Sequence, residues 1–209
     1  METTELAAAL LELGSATLGE SGARTMRPRL RPMWPGAALA APAVPVRCTP
    51  GDNLAVHAAV ATAPEGHALA VDVGLAPERG YWGEVLTTAA ESRGLAGLVL
   101  DGGVRDVAAL GAHRFPVFAT MAALRGAEKK APGTVGAPVR VGDVLVELGD
   151  WLVGDVDGVV VVPAAEVEEV LAAGRARAAK EAGFFGSLRA GATTVELLGL
   201  DVSIVRRHS

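Results

Sequence analysis

Cysteine, aromatic residues and positive charge are all scarce in this chain. One cysteine, Cys48, stands among 209 residues. No disulfide can form within the chain, which fits a reducing compartment. Cys48 lies in the strand-like stretch VPVRCTP, where a packed thiol is expected rather than a reactive one. Aromatic residues make up 4% of the chain, against 50% hydrophobic residues overall. The core must then be built from small aliphatic side chains, which pack strands and helices closely. The formal net charge is −5. That disfavours a general nucleic-acid binder, whose surface has to neutralise phosphates. It leaves room for a small anion held by one arginine. No uncharged apolar run reaches the roughly 18 residues that a membrane span requires. The stretch METTELAAALLELGS has no Lys or Arg ahead of its apolar positions, so it does not read as a signal peptide. A cytoplasmic protein is expected.

Periodicity supplies the elements. Leu6, Leu10 and Leu13 recur at helical spacing and predict an amphipathic helix within residues 1–20. Prolines at 28, 32, 35, 42, 45 and 50 forbid a long helix over 24–50, so extended segments and turns are expected there. Arg24, Arg27, Arg29 and Arg31 in that segment read as solvated charges or as partners of acids. DNLAVHAAVATA (52–63) predicts a helix with Asp52 as its N-cap. HALAVDVG (67–74) predicts a buried strand, APERGYWGE a loop, and EVLTTAAESRG (84–94) a helix closed by Gly94. LAGLVLDGG and FPVFAT are further strands, with a helical turn over DVAALGA between them. RGAEKKAPGTVGA (125–137) is a glycine-rich loop carrying Arg125, Lys129 and Lys130, which are candidates for shaping substrate choice with no individual role assigned. From 138 to 163, short Val/Leu runs alternate with Gly-Asp turns and predict hairpins. Residues 164–182 predict an amphipathic helix with Val167, Val170, Leu171 and Ala178 on one face. Alternation of helix and strand in the front half argues for a single, compact, layered α/β domain over 1–209.

Several chemistries are excluded. The glycines of VDVGLAPERG match neither G-x-G-x-x-G nor the P-loop pattern. The four histidines, 57, 67, 113 and 208, have no metal-ligand spacing, and none is near the cysteine, so a zinc site is not expected. No G-x-S-x-G is present. What remains is GLVLDGGVRDVAAL (97–110). An apolar strand, a double glycine and then Arg105-Asp106 follow one another. Its bland reading is an ion pair at a helix start, with Asp106 favouring that N-terminus. Its functional reading is a ligand site, because α/β sheets place ligands beyond the ends of buried strands. Gly102 and Gly103 would let the backbone approach a ligand closely. Gly83-Glu84, opening the preceding helix, adds N–H groups suited to an anion.

YWGEVLTTAAESRGLAGLVLDGGVRD and GDWLVGDVDGVVVVP resemble the RraA-like group over roughly residues 35 to 200. That group holds class II pyruvate aldolases acting on 4-hydroxy-4-methyl-2-oxoglutarate and 4-carboxy-4-hydroxy-2-oxoadipate. It also holds regulators of ribonuclease activity A, which bind a ribonuclease. The aldolase signature is an acidic residue, twenty intervening residues, and Arg-Asp; Glu84 and Arg105-Asp106 have that spacing. The resemblance implies a swivelling β/β/α sandwich and a site between subunits of a homotrimer or hexamer. It implies a lyase releasing pyruvate from a 4-hydroxy-2-oxo acid through a metal-stabilised enolate, with oxaloacetate decarboxylation as a side activity. Asp106 is then the ligand of Mg²⁺ or Mn²⁺, with Glu181 reaching the metal's water shell from a neighbouring subunit. Arg105 holds the developing enolate oxygen or carboxylate. Backbone N–H groups of Gly83, Glu84, Val85 and Leu86 bind the pyruvyl carboxylate, and Glu84 is the general base. The chain departs from many of those aldolases after Arg-Asp, where Val107, Ala108, Ala109 and Leu110 stand in place of a further acid. The alternatives are a non-catalytic regulator of a protein partner such as a ribonuclease, and a related lyase for another oxo acid. Asp106, typically missing from the regulators, favours the enzyme.

Overall fold

A computed structural model describes residues 2–206, so His208 lies outside the described residues. Helix α1 (Thr3–Gly19) forms where the leucine spacing predicts it. It kinks at Gly14, whose φ of 76° is left-handed, and Ser15 there donates its N–H and hydroxyl to Asp155 at 2.7 and 2.6 Å. The Arg/Pro segment is extended, giving β1 (Arg24–Thr25), β2 (Arg31–Pro32) and β3 (Leu39–Arg47). Its arginines bind acids or carbonyls. Arg29 forks onto Asp101 at 2.9 and 2.7 Å, Arg27 meets Asp143, Arg24 meets Glu166, and Arg31 donates to the Asp157 carbonyl. They fasten the segment to the body.

Next come α2 (Leu54–Thr62), β4 (Ala68–Asp72), β5 (Gly80–Trp82) and α3 (Glu84–Ser92). They lead into β6 (Gly97–Val104), α4 (Val107–His113) and β7 (Val117–Ala122). Two expectations need correction. The N-cap of α2 is Asn53, not Asp52. Asp52 sits one residue earlier, accepting the Leu54 N–H with one oxygen and the Lys130 and Ala131 N–H groups with the other. The expected loop APERGYWGE contains β5, which pairs with β6 in parallel. Glycine permits that pairing: a Cβ on Gly80 would lie 2.7 Å from the Ala123 carbonyl, and one on Gly103 2.6 Å from that of Arg79. Gly94 closes α3 as predicted, with φ 68°.

The second half is built from β8 (Thr134–Val135), β9 (Val139–Val141), β10 (Val144–Val146), β11 (Trp151–Gly154) and β12 (Val159–Val162). Gly142 and Asp143, both at positive φ, make the tight turn between β9 and β10. The main sheet runs β1-β12-β11-β3-β4-β6-β7-β2. Its centre is parallel across β3, β4, β6 and β7, and antiparallel beyond. β3 changes partner midway, from β11 at Leu39–Pro42 to β4 at Ala43–Arg47. Pro42 ends the first register just before the second begins, and Pro45 sits between β11 and the arrival of β8 at Val46. Neither missing N–H interrupts a ladder.

Strand alternation divides the core into layers. Val44, Val46, Leu69, Val71, Leu98 and Leu100 face α2, α3 and α4. Ala41, Ala43, Ala70, Val99, Phe118 and Leu152 point into the curl between the two halves of the sheet. Trp151, Val153, Val160 and Val162 meet α1 and the last long helix. The architecture is thus a curled α/β sandwich with helices on both outer faces. The helix predicted over 164–182 opens with a 3-10 turn (Ala164–Glu166) and continues as α5 (Val167–Arg189). Gly183 and Gly186 weaken a helix by about 1 kcal/mol each without barring it, so α5 runs past the expected end. A short α6 (Thr194–Leu198) follows, opened by a capping box between Thr193 and Glu196. No helix among the described residues is long and apolar enough to cross a membrane.

Candidate active site

Parallel pairing of β5 with β6 aligns their C-terminal ends. The Arg105 N–H donates to the Trp82 carbonyl at 2.9 Å, which sets Arg105-Asp106 beside Gly83-Glu84. Asp106 has left-handed backbone (φ 57°, ψ 36°) and makes no side-chain bond to its own helix. Its Oδ2 instead accepts the Glu84 N–H at 3.2 Å and lies 3.6 Å from Arg105 Nε. Asp106 thus stands at the start of α4, as the helix-start reading expects, but its carboxylate bonds the first N–H of α3 instead. Gly83 makes this fit. A Cβ there would stand 2.5 Å from Asp106 Oδ2 and 3.0 Å from Arg105 Cγ.

Gly83, the N-cap residue of α3, has no side chain to cap the helix. With the Glu84 N–H taken by Asp106, the N–H groups of Val85 and Leu86 have no carbonyl partner within the helix and suit an anion. The Glu84 carboxylate is over half exposed, 3.6 Å from His113 Nε2, and His113 Nδ1 meets Glu91 at 2.8 Å. The bond to Glu91, reinforced by both carboxylates, raises the pKa of His113.

Gly83, Val85, Leu86 and Arg105 line an open cleft of about 240 Å³, and Glu84 and Asp106 adjoin them in the chain. Tyr81, Trp82, Asn53, His57 and Lys129 line it as well. The wall carrying Lys129 is the loop after β7. Gly80 N–H binds the Arg125 carbonyl at 2.8 Å, and Asn53 N–H binds that of Glu128 at 2.9 Å. Burial pushes the Asp52 carboxyl up, but the N–H groups of Lys130, Leu54 and Ala131 and the charge of Lys129 outweigh it and hold it low. Burial and the nearby Lys129 charge lower the pKa of His57, which favours its neutral form. Cys48 is 4% exposed, and burial pushes its thiol up to about 12, so it is packed as expected.

The structure thus brings together Gly83, Glu84, Val85, Leu86, Arg105 and Asp106. Glu181 is bound within its own helix by Arg177 at 2.9 Å, which also pairs with Glu20, and is not among the cleft-lining side chains. Asn53 and His57 were not anticipated as cleft residues, whereas Lys129 belongs to the segment expected to bear on substrate choice. Asn53 and His57 stand one turn apart on a helix whose other inward residues are Ala and Val, and that spacing was the available signal. Among the described residues no three His, Cys, Asp or Glu side chains gather into a metal cage. The donors do suit a hard divalent cation held through one carboxylate, with water and substrate oxygens completing its shell. Asp106 Oδ1 accepts no hydrogen bond and is available for that contact.

A cleft at the C-terminal ends of parallel strands, with an arginine and the free N–H groups of a helix's first turn beside it, has the chemistry to receive a small anionic molecule. The chain belongs to the RraA-like family (Aldolase/RraA), whose model matches residues 5–161. A Halalkalibacterium halodurans protein named "putative 4-hydroxy-4-methyl-2-oxoglutarate aldolase" is 33% identical over 150 residues, covering 72% of this chain and 71% of its own. Among solved structures, an uncharacterized protein from Pseudomonas syringae pv. tomato superposes with a TM-score of 0.84 at 23% identity, covering 94% of this chain and 93% of that one. That likeness bears on the fold alone. The Streptomyces coelicolor RraAS2, described as an unusual member of the RNase ES inhibitor RraA family, gives a TM-score of 0.75 at 27% identity, covering 88% and 96%.

Proposed function

We propose that the protein is a divalent-metal-dependent lyase that cleaves a 4-hydroxy-2-oxo acid to pyruvate and also decarboxylates oxaloacetate. The observation that carries this reading is the meeting of Arg105, Asp106 and the first turn of α3, whose Val85 and Leu86 N–H groups have no helix partner, beside one cleft. The name of the H. halodurans relative supports the same chemistry.

The 2-oxo acid lays its carboxylate on the N–H groups of Val85 and Leu86 and turns its 2-oxo oxygen towards Arg105. Asp106 would hold Mg²⁺ or Mn²⁺, which supplies Lewis-acid polarisation of the 2-oxo group when bound. Glu84, directly or through water, takes the proton of the C4 hydroxyl. The C3–C4 bond breaks, a carbonyl forms at C4, and the electron pair passes to the pyruvate half. Arg105 offsets the charge that builds on its oxygen, and a proton returned to C3 completes pyruvate. In oxaloacetate the C–C bond to the 4-carboxylate breaks in the same sense and releases carbon dioxide. Arg105 serves most where charge is greatest, so Arg105→Ala should lower kcat about 100- to 1,000-fold. Asp106→Ala should abolish metal-dependent turnover with an unchanged circular dichroism spectrum; full activity in either variant would overturn the assignment.

The reading includes a homotrimer or hexamer in the cytoplasm, with Glu181 of a neighbouring copy facing the metal's water shell. Support comes from the tail of the chain. Beyond Gly174 no residue of α5 is buried, and Phe185, Leu198, Leu200 and Ile204 are exposed, as expected of an arm that packs on another copy.

The alternative is a protein-binding regulator, favoured by what the S. coelicolor neighbour is described to be. Inhibition of an endoribonuclease by both the wild type and Asp106→Ala, with no pyruvate formed, would support it instead.

A further inference from the structure

Two acids of α3 converge on one imidazole of α4. Glu84 and Glu91 stand at the two ends of α3, on the same face of the helix. Asp106 and His113 stand likewise on α4, as its N-cap and its last residue. The two helices are neighbours, and Leu86, Ala90 and Leu110 are buried in the layer beneath them. Asp106 accepts the Glu84 N–H at 3.2 Å. Further along the seam, His113 Nδ1 meets Glu91 Oε2 at 2.8 Å, and its Nε2 lies 3.6 Å from Glu84 Oε1.

Ionised carboxylates only accept, so two of them against the two ring nitrogens call for the imidazolium. The C-terminal end of α4 favours the same charge, because the backbone dipole is negative there. The surroundings do not oppose it. The other residues of α4 are uncharged, and so are residues 32–36, whose Trp34 packs against Gly111. Arg93, at the end of α3, is turned to the Ala61 carbonyl. Arg114, next in the chain, is the cation beside the ring. The two contacts differ in kind. The Glu91 bond is short and fixes the ring. The Glu84 contact is at ion-pair distance, too long for a hydrogen bond, and that carboxylate is over half exposed. A free glutamate there would spread over many rotamers. A fixed cation narrows that spread and leaves the oxygens open to a proton.

We propose that His113, anchored by Glu91, is a positioning residue for the lyase reaction: its imidazolium holds the Glu84 carboxylate beside the first turn of α3, where it takes the proton of the C4 hydroxyl. This rests on the lyase reading, in which Glu84 is the base. It adds a dependence of turnover on the charge of a residue that is not among those lining the cleft.

The test is the pH dependence of kcat for His113→Gln against wild type, on 4-hydroxy-4-methyl-2-oxoglutarate with Mg²⁺. Near the ordinary histidine value of about 6.5, kcat of the variant should be about 3- to 10-fold lower, the scale of one exposed ion pair acting on a reacting group. KM should change little. The gap should close as pH rises and the wild type loses its imidazolium. His113→Lys should recover part of kcat and keep it to higher pH, since an ammonium holds its charge to about pH 10. In Glu91→Gln the loss of kcat should come at lower pH, because the ring has lost the acceptor that keeps it charged. A merely structural role would move none of these limbs. Proton NMR of the His113 ring in metal-free protein reads the pair without turnover, and Glu84→Gln should lower its titration midpoint. A ratio of kcat values that stays constant with pH, or a midpoint that Glu84→Gln leaves in place, would overturn the positioning role alone. No pyruvate from wild type at any pH would overturn the lyase reading and this role with it.

Discussion

The carboxylate of Asp106 accepts the backbone N–H of Glu84 at 3.2 Å across 22 residues of sequence. One oxygen thus ties the end of β6 to the first turn of α3. The two strands that deliver these residues are parallel neighbours, so the acidic residue and the Arg-Asp pair meet because β5 and β6 are in register. The spacing in the sequence is the length of one helix and one strand.

Gly83 is the hinge of this arrangement. Its φ of −169° is open to any residue, so alanine brings no backbone strain there. The added methyl would instead push on Asp106 Oδ2 from 2.5 Å. Gly83→Ala should cost about 1–3 kcal/mol of stability from overpacking. It should lower kcat about 100-fold, since small misplacements of reacting groups are expensive. Urea unfolding and steady-state kinetics measured together would check the pair of effects; full turnover would mean that the Asp106 position is not critical.

Asp52 holds the Lys129 loop against α2. Asp52→Ala leaves the N–H groups of Leu54, Lys130 and Ala131 without their acceptor. A loss of about 1–3 kcal/mol is expected in urea unfolding. KM should rise more than kcat falls, because a cleft wall loosens while Arg105 and Asp106 stay in place.

His113 supplies a pH dependence. Its pKa is raised in the folded chain, by Glu91 foremost and by Glu84 as well. A group with a raised folded pKa stabilises fully below its unfolded value, about 6.5, and that contribution fades as pH climbs through the folded value. The difference in thermal midpoint between wild type and His113→Gln should be largest below the unfolded value of about 6.5 and shrink as pH rises through the raised folded value. A difference that grew with pH would contradict the pairing.

If the site is shared between copies, two dead chains can repair one another. Asp106→Ala and Glu181→Ala should each be inactive alone. Co-refolded, they should regain part of the activity, because some interfaces then carry an intact Asp106 and an intact Glu181. No recovery in co-assembled mixtures would confine the site to one chain.

Much of this was legible in the sequence. The hairpins of the second half follow from Val/Leu runs broken at Gly142-Asp143 and again before Val159, and α3 follows from its glycine-bounded period. The unforeseen features depend on contacts distant in the chain. β5 is three residues long and has no pattern of its own; it exists because β6 and the Arg125 carbonyl bind it. Asp52 reads as a cap, yet two of its three N–H donors come from residues 130 and 131. The Arg105-Asp106 edge was visible because its members follow one another along the chain. The Asn53, His57 and Lys129 wall was not, because a helix and a remote loop meet there only in three dimensions.

Pyruvate release by the chelator-treated protein tests the central claim most directly. Oxaloacetate and 4-hydroxy-4-methyl-2-oxoglutarate are each supplied with and without Mg²⁺ or Mn²⁺. The account expects no pyruvate without metal and steady release once metal is restored. Release that ignores the metal, or no release under any condition, would contradict it.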